Sequence, residues 1–139
     1  MNTYNANDND FKKSSLYQNY INDNPSKGNL KIRAYAANQA LPISGLKVIV
    51  STIYNNNKII FYEGETDSSG LIEKIVLPAP RLNSNNLFAP SKTTYEISAT
   101  YIPDNINTTY KVNMYENICV VQNIDIVPQT EFVGGSIGS

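Results

Sequence analysis

The sequence predicts an all-β protein: a seven-stranded, two-sheet β-sandwich with an extended polar N-terminal arm. Three observations support this fold class. Apolar and polar residues alternate from residue 28 onward, as they do in strands with one buried face. Clusters of Asn, Asp, Gly, Ser and Pro separate the alternating runs at short intervals, which is typical of a sandwich. The 139 residues, 41% of them hydrophobic, are enough for one core.

The arm comprises residues 1–27, which are rich in Asn, Asp, Ser and Lys. Such a composition buries too little apolar surface to offset the entropy lost on ordering, so a loose arm is expected. A short docked helix is the alternative, because apolar and aromatic side chains at helical spacing follow the possible caps Ser14 and Ser15. These side chains are Leu16, Tyr17, Tyr20 and Ile21. Pro25 would end such a helix.

The β-sandwich domain is expected over residues 28–129, and it begins with two alternating runs within residues 28–54. A connector that contains Pro42 and Gly45 joins the two runs. Pro fixes φ and Gly tolerates any φ, so the connector suits a chain that changes direction over a buried core. The inward residues of the two runs are predicted to be Leu30, Ile32 and Ala34, then Leu46, Val48 and Val50.

Seven strands follow from the period of two. They are predicted at residues 29–37, 45–54, 57–65, 71–77, 93–101, 107–115 and 117–127. Asn55-Asn56-Asn57 predicts a hairpin turn, because Asn tolerates the left-handed conformation. In the turn at residues 66–70, Asp67 is expected to accept from nearby backbone N–H groups and Gly70 to supply a positive φ.

The later part of the chain holds the long connection and the last strands. Pro78, Pro80 and Pro90 are expected to prevent strand pairing throughout residues 78–92. Two strands follow this connection, and alternation predicts their inward residues. These are Tyr95, Ile97, Ala99 and Tyr101 in the first strand, and Tyr110, Val112 and Met114 in the second. The last strand should direct Ile118, Val120, Ile124 and Ile126 inward and Cys119, Asn123 and Asp125 outward. Gln122 then lies on the apolar face and needs a partner. Residues 130–139 are interpreted as a flexible Gly-rich tail.

Charge and residue usage exclude several classes of protein. The net charge is −1 and the pI about 5.3, so nucleic acids and anionic membranes are not expected partners. The single cysteine cannot form an internal disulfide. We find neither the apolar core of a signal peptide nor a run of about 18 apolar residues, so we expect synthesis in the cytoplasm without membrane insertion.

No catalytic, cofactor-binding or metal-binding residues are predicted, and the chain has no histidine. Cys119 is interpreted as a small residue of the last strand, with an intermolecular disulfide as the alternative. Glu63 and Glu65 share a strand face, as solvated strand ends commonly do. Asp8 and Asp10 resemble the start of a calcium loop, but its required glycine is missing.

Two further sets of residues are candidates, one for a covalent cross-link and one for sugar binding. Lys31, Glu73 and Asn123 are the residue types of a Lys–Asn isopeptide cross-link, which requires all three to be buried together. Alternation instead places Lys31 in solvent. A group of tyrosines could stack on sugar rings, although packing at sheet rims is the favoured interpretation. The group is Tyr35, Tyr54, Tyr62, Tyr95, Tyr101, Tyr110 and Tyr115.

The order of these pieces resembles a known domain. Residues 40–45 (ALPISG), 77–80 (LPAP) and 121–128 carry the most specific similarity, which covers about residues 28–129. The chain resembles the transthyretin-like or carboxypeptidase-regulatory-like β-sandwich, also described as immunoglobulin-like. It is most similar to the accessory domain of clostridial spore-cortex-lytic enzyme precursors and related peptidoglycan-binding proteins. The resemblance implies a non-catalytic domain in a wall or spore setting.

The expected function is therefore structural, not enzymatic. We expect a homo-oligomer that assembles through its N-terminal arm, in a bacterial spore-surface or cell-envelope structure. A module that binds peptidoglycan or another glycan is the alternative. A partner of a separately encoded lytic enzyme and a component of a phage-tail-like assembly also remain open. No cofactor is expected.

Overall fold

The computed structural model describes residues 1–36, 40–82 and 91–127. These residues form nine strands, two short α-helices and one 3-10 turn at Ile102–Asp104. In chain order the elements are β1 (Thr3–Asn5), α1 (Asn9–Lys12), α2 (Ser15–Asp23), β2 (Ser26–Ala36), β3 (Leu41–Pro42), β4 (Lys47–Tyr54), β5 (Asn57–Glu65), β6 (Leu71–Ala79), β7 (Thr93–Tyr101), β8 (Ile106–Met114) and β9 (Cys119–Ile126).

The strands form two sheets, and the predicted β-sandwich is confirmed. The first sheet has the order β1-β5-β4-β7-β8. In the second sheet, β2 pairs antiparallel with β3 and β6 and parallel with β9. All seven predicted strands are present, as β2 and β4–β9, with bounds within a few residues of those expected. The connector between β2 and β4 carries the chain from the second sheet to the first.

The core lies between the two sheets, and many of its residues are ones that alternation placed inward. Leu30 and Ile32 of β2 are fully buried, as are Val48 and Val50 of β4. Ile97 of β7 is fully buried as well. Burial of one face from each sheet is what holds two twisted sheets together in a sandwich.

Both predicted turns have the expected geometry. Asn55 and Asn56 have φ values of 47° and 60°, which close a two-residue hairpin between Tyr54 and Asn57. The carboxylate of Asp67 accepts from the backbone N–H groups of Ser69 at 2.9 Å and Leu71 at 3.0 Å. Gly70 has φ of 76°. The side-chain chemistry of these turns therefore fixes the registers of the strands that follow them.

Pro78 was wrongly expected to lie outside any strand. It belongs to β6, opposite Lys27 of β2. In the part of the chain that the structure describes, β6 pairs only with β2. A proline is tolerated on such an edge strand because the N–H that it lacks is not required on the outer side.

Ile118 was expected to point inward, but 48% of it is exposed. It precedes β9, and Asn117 before it has φ of 59°, so the chain is still in a turn at this point. Gln122 is half-buried and its side-chain amide donates to the carbonyl oxygen of Asn123 at 3.0 Å. Residues 83–90, Pro128 and the predicted tail at 130–139 lie outside the described residues.

The N-terminal residues differ from the expected extended arm. Residues 1–24, called the N-terminal segment below, fold back onto the sandwich as β1, α1 and α2. The short docked helix that was the alternative to a loose arm is present as α2, with Ser14 as its N-cap and Pro25 just beyond its end. The segment is ordered because its tyrosines and Phe11 bury apolar surface against the sheets, although polar residues dominate its composition.

No helix within the described ranges is long and apolar enough to cross a membrane.

Candidate interaction site

The acidic residues considered from the sequence do not form a chemical site. Glu63 and Glu65 are both exposed on β5. Asp8 is the N-cap of α1, and its side chain accepts from the backbone N–H of Asp10 at 2.9 Å. Across residues 1–36, 40–82 and 91–127, no group of three or more potential metal-ligating side chains converges. Asp8 and Asp10 therefore begin a helix in this fold.

The three residues of the isopeptide hypothesis do not meet in the core. Lys31 Nζ lies 3.3 Å from a carboxylate oxygen of Glu73, with side-chain exposures of 31% and 64%. Asn123 is exposed and stands opposite Arg33, not Lys31. Cross-linking needs a buried, protonated acid to activate the amide. The pair Lys31–Glu73 is an ordinary surface ion pair, and such pairs contribute little to stability.

The remaining candidates also lie apart. Cys119 is exposed at the start of β9. Of the seven tyrosines considered for sugar stacking, Tyr35 and Tyr95 are buried and the other five are half-buried. They therefore do not present a fully exposed aromatic row in the described fold, and the rim-packing interpretation accounts for them better.

The feature with the most distinctive geometry is the attachment of the N-terminal segment to the first sheet. Strand β1 pairs in parallel with the outer edge of β5, with Thr3 opposite Lys58 and Tyr4 opposite Ile59. The ladder continues at both ends. Lys58 N–H donates to the Asn2 carbonyl at 2.8 Å, and Ala6 N–H donates to the Ile60 carbonyl at 2.8 Å. The segment thus satisfies backbone groups that an edge strand would otherwise leave open.

Tyr20 of α2 anchors the segment in the core, and it is only 2% exposed. Its hydroxyl donates to the hydroxyl of Tyr95 at 2.7 Å, and Tyr95 in turn donates to the carbonyl oxygen of Pro78 at 2.6 Å. This chain of hydrogen bonds joins the segment to β7 of the first sheet and β6 of the second. Burial raises the pKa of Tyr20 to about 12 and also raises the pKa of Tyr95, so the folded protein favours the neutral, proton-donating form of both hydroxyls.

Aromatic rings surround Tyr20. Its ring centroid lies 5.0 Å from that of Tyr54 and 5.3 Å from that of Phe61. Phe61 also meets Tyr95 edge-on at 5.6 Å. Such ring pairs contribute about 0.5–1.5 kcal/mol each beyond the area they bury. We call the outer edge of β5 together with Tyr54, Phe61 and Tyr95 the docking groove.

Polar contacts hold the end of α2 at the same groove. Tyr54 donates its hydroxyl proton to a carboxylate oxygen of Asp23 at 2.6 Å, and this bond raises the pKa of Tyr54. Asn24 is 5% exposed. Its side-chain amide donates to the Tyr20 carbonyl at 3.0 Å, and its side-chain oxygen accepts from the Thr93 hydroxyl. The segment is therefore fixed to β4 and β7 up to its last residue.

The sequence suggested α2 only as an alternative to a loose arm, and it gave no indication of the role of Tyr4 and Phe11. The two rings stack with centroids 4.8 Å apart, and Phe11 is 7% exposed. An isolated aromatic residue in an Asn-rich stretch gives no periodic signal, so hydrophobic periodicity could not reveal it. Aromatic residues concentrated in a segment otherwise classed as disordered are the signal that was present in the sequence.

No protein-family model and no curated protein matches the chain. Among solved structures, it is similar to the Klebsiella pneumoniae 5-hydroxyisourate hydrolase, with 12% identity and a TM-score of 0.44, over 70% of this chain and 90% of that one. It is also similar to (S)-allantoin synthase, with 9% identity and a TM-score of 0.44, over 72% of this chain and 41% of that one. At these identities the likeness concerns the fold alone.

Proposed function

We propose that this protein is a non-catalytic structural subunit that assembles with copies of itself through its N-terminal segment, in a bacterial spore-surface or cell-envelope structure. The observation that carries the proposal is the docked segment itself. A terminal strand extends a sheet edge while an attached helix inserts Tyr20 between the sheets. Strand addition of this kind is a recurrent mode of recognition between chains, because backbone hydrogen bonds and side-chain pockets act together.

The chemistry of the remaining surface supports a structural role. Among the described residues, no three or more His, Cys, Asp or Glu side chains lie together as they would to hold a metal ion. The exposed surface instead includes apolar side chains along strand β9 and next to it, such as Val121 at 46% and Ile118 at 48% exposure. The setting on a spore or envelope rests on the sequence resemblance.

The experiment is light scattering coupled to size exclusion of the full chain over a wide range of concentration, followed by electron microscopy. The proposal predicts particles larger than the 15.4 kDa subunit, with a mass that rises with concentration and falls again on dilution. Reversibility separates assembly from aggregation. A monomer at every concentration would overturn the proposed function.

A further inference from the structure

The contacts that hold the N-terminal segment do not depend on the strand to which the segment is joined. Its backbone ladder is with β5, its buried hydroxyl bond is with Tyr95 of β7, and Asp23 bonds Tyr54 of β4. The segment is covalently connected to β2. The same contacts could therefore be made by a segment that belongs to a second copy of the chain.

The segment has internal contacts that would survive its release from the groove. The Ser14 hydroxyl oxygen accepts from Tyr17 N–H at 3.2 Å, and the hydroxyl donates to the Phe11 carbonyl at 2.6 Å. The Gln18 side chain donates to the Lys12 carbonyl at 2.8 Å. Phe11 and Tyr17 meet edge-on, with ring centroids 5.6 Å apart. These local contacts allow α1 and α2 to move together.

The connection between the segment and the sandwich is short. Helix α2 ends at Asp23 and β2 begins at Ser26, so Asn24 and Pro25 form the whole link. Asn24 stays with the segment because its side chain bonds the Tyr20 carbonyl. Pro25 cannot continue the helix, since it has no N–H and its φ is fixed. A change of direction at Pro25 and Ser26 would swing the segment away from its own sandwich.

A groove without its segment is unstable in water. Tyr95 and Ile59 are 0% exposed in the folded protein, and they would be partly uncovered together with the edge of β5. Exposed apolar side chains beside an open strand edge favour association with another chain. The occupant whose side chains already fit this groove is the same segment from a second copy.

We propose that the N-terminal segment is exchanged between subunits: residues 1–24 of one chain occupy the docking groove of a second copy and re-form the same contacts there. This inference rests on the proposed function and names its partner and its mechanism. Two reciprocal exchanges give a closed dimer, whereas head-to-tail exchange gives an open chain of subunits. Either product re-forms the docking contacts of the closed subunit.

Concentration and the link decide the balance between closed and exchanged forms. A substitution inside the groove weakens both forms alike, because both contain the same contacts. A tethered segment has an effective concentration on the order of millimolar for a short link, so exchange is favoured where subunits are densely packed. The experiment must therefore control which chain supplies the segment and leave the contacts in the docking groove unchanged.

The test uses a disulfide that closes the segment onto its own chain. Thr3 and Lys58 lie directly opposite each other on β1 and β5, so Thr3→Cys with Lys58→Cys places two sulfurs within reach of a bond. Both are introduced together with Cys119→Ser, which removes the exposed native thiol. The protein is oxidised while dilute and monomeric, and then concentrated with and without reductant.

We expect the oxidised protein to stay monomeric at concentrations where the reduced protein assembles. The Cys119→Ser parent, treated identically, should assemble with or without oxidant. If the oxidised protein assembles as readily as the reduced one, exchange is overturned while self-assembly stands. If the parent and the reduced protein both remain monomeric, the proposed function itself fails.

Discussion

The hydroxyl of Tyr20 in the N-terminal segment lies 2.7 Å from the hydroxyl of Tyr95 in the sandwich core, and both side chains are almost completely buried. Tyr20 comes from a stretch rich in Asn and Asp, and Tyr95 comes from strand β7 of the sandwich. Their contact makes the first 24 residues part of the folded domain. It also means that removal of the segment opens the core.

Truncation of Tyr20 should show how much the segment contributes. Tyr20→Ala deletes a buried ring, and we expect it to lower the free energy of unfolding by about 3–5 kcal/mol, as large-to-small aromatic substitutions do. Tyr20→Phe keeps the ring and removes only the donor to Tyr95, so a loss of about 1 kcal/mol is expected. Urea unfolding of the three proteins measures both values. Equal stability of Tyr20→Ala and the parent would mean that the segment is not docked.

Alkaline pH should weaken the fold through the same hydroxyl. Burial raises the pKa of Tyr20 to about 12 from an ordinary value of 10.0. The folded state therefore favours the neutral form, and this stability is fully present below pH 10 and is lost as the pH rises through about 12. Unfolding measured at a series of pH values should show a steeper loss for the parent than for Tyr20→Phe. The same pH-dependent loss of stability in the parent and in Tyr20→Phe would contradict this role of Tyr20.

The turn at residues 66–70 provides a test of the strand register. Gly70 has φ of +76°, and a Cβ there would lie 2.4 Å from the Ala34 carbonyl oxygen. Gly45 also has φ of +76°, but a Cβ at this position would meet no other atom within 4 Å, so it is a matched control. Gly45→Ala should cost about 1–2 kcal/mol from backbone strain alone. Gly70→Ala should cost clearly more, and thermal or chemical unfolding of both variants would detect the difference.

Lys31 and Asn123 should carry no covalent cross-link. Lys31 is paired with an exposed Glu73, and Asn123 stands beside Arg33 in solvent. The intact mass of the purified chain should therefore equal the mass of its sequence. A mass lower by one ammonia would show that an amide bond forms in spite of this exposure.

Much of the sandwich could be predicted because its signals are local. The alternation of Leu30, Ile32 and Ala34 fixed one face of β2, and Asn55 with Asn56 fixed the hairpin after β4. Period-two alternation and left-handed turn residues act over a few residues, so a sequence displays them directly. Strands β1 and β3 were missed because two or three residues show no period.

The attachment of the N-terminal segment could not be predicted in the same way. Tyr20 and Tyr95 are separated by 75 positions, and no local pattern indicates that their hydroxyls meet. The composition of the segment predicted a loose arm, because its many polar residues dominate the average and a few aromatic residues change that average little. The start of β9 was also mispredicted. Alternation placed Ile118 inward, but the turn conformation of Asn117 delays the start of the strand to Cys119.

Exchange of the segment is tested most directly by determining which chain supplies the segment in an assembly. The experiment mixes two variants in the Cys119→Ser background, one with Thr3→Cys and the other with Lys58→Cys. The mixture is concentrated and then oxidised, so that a disulfide between the two variants reports a segment bound to another chain. We predict disulfide-linked pairs of Thr3→Cys and Lys58→Cys chains, identified by peptide mass spectrometry. A matched mixture of Thr3→Cys chains with Lys74→Cys chains should give few such links, because Lys74 is exposed on β6 of the second sheet. Equal linkage in the two mixtures would contradict exchange of the segment.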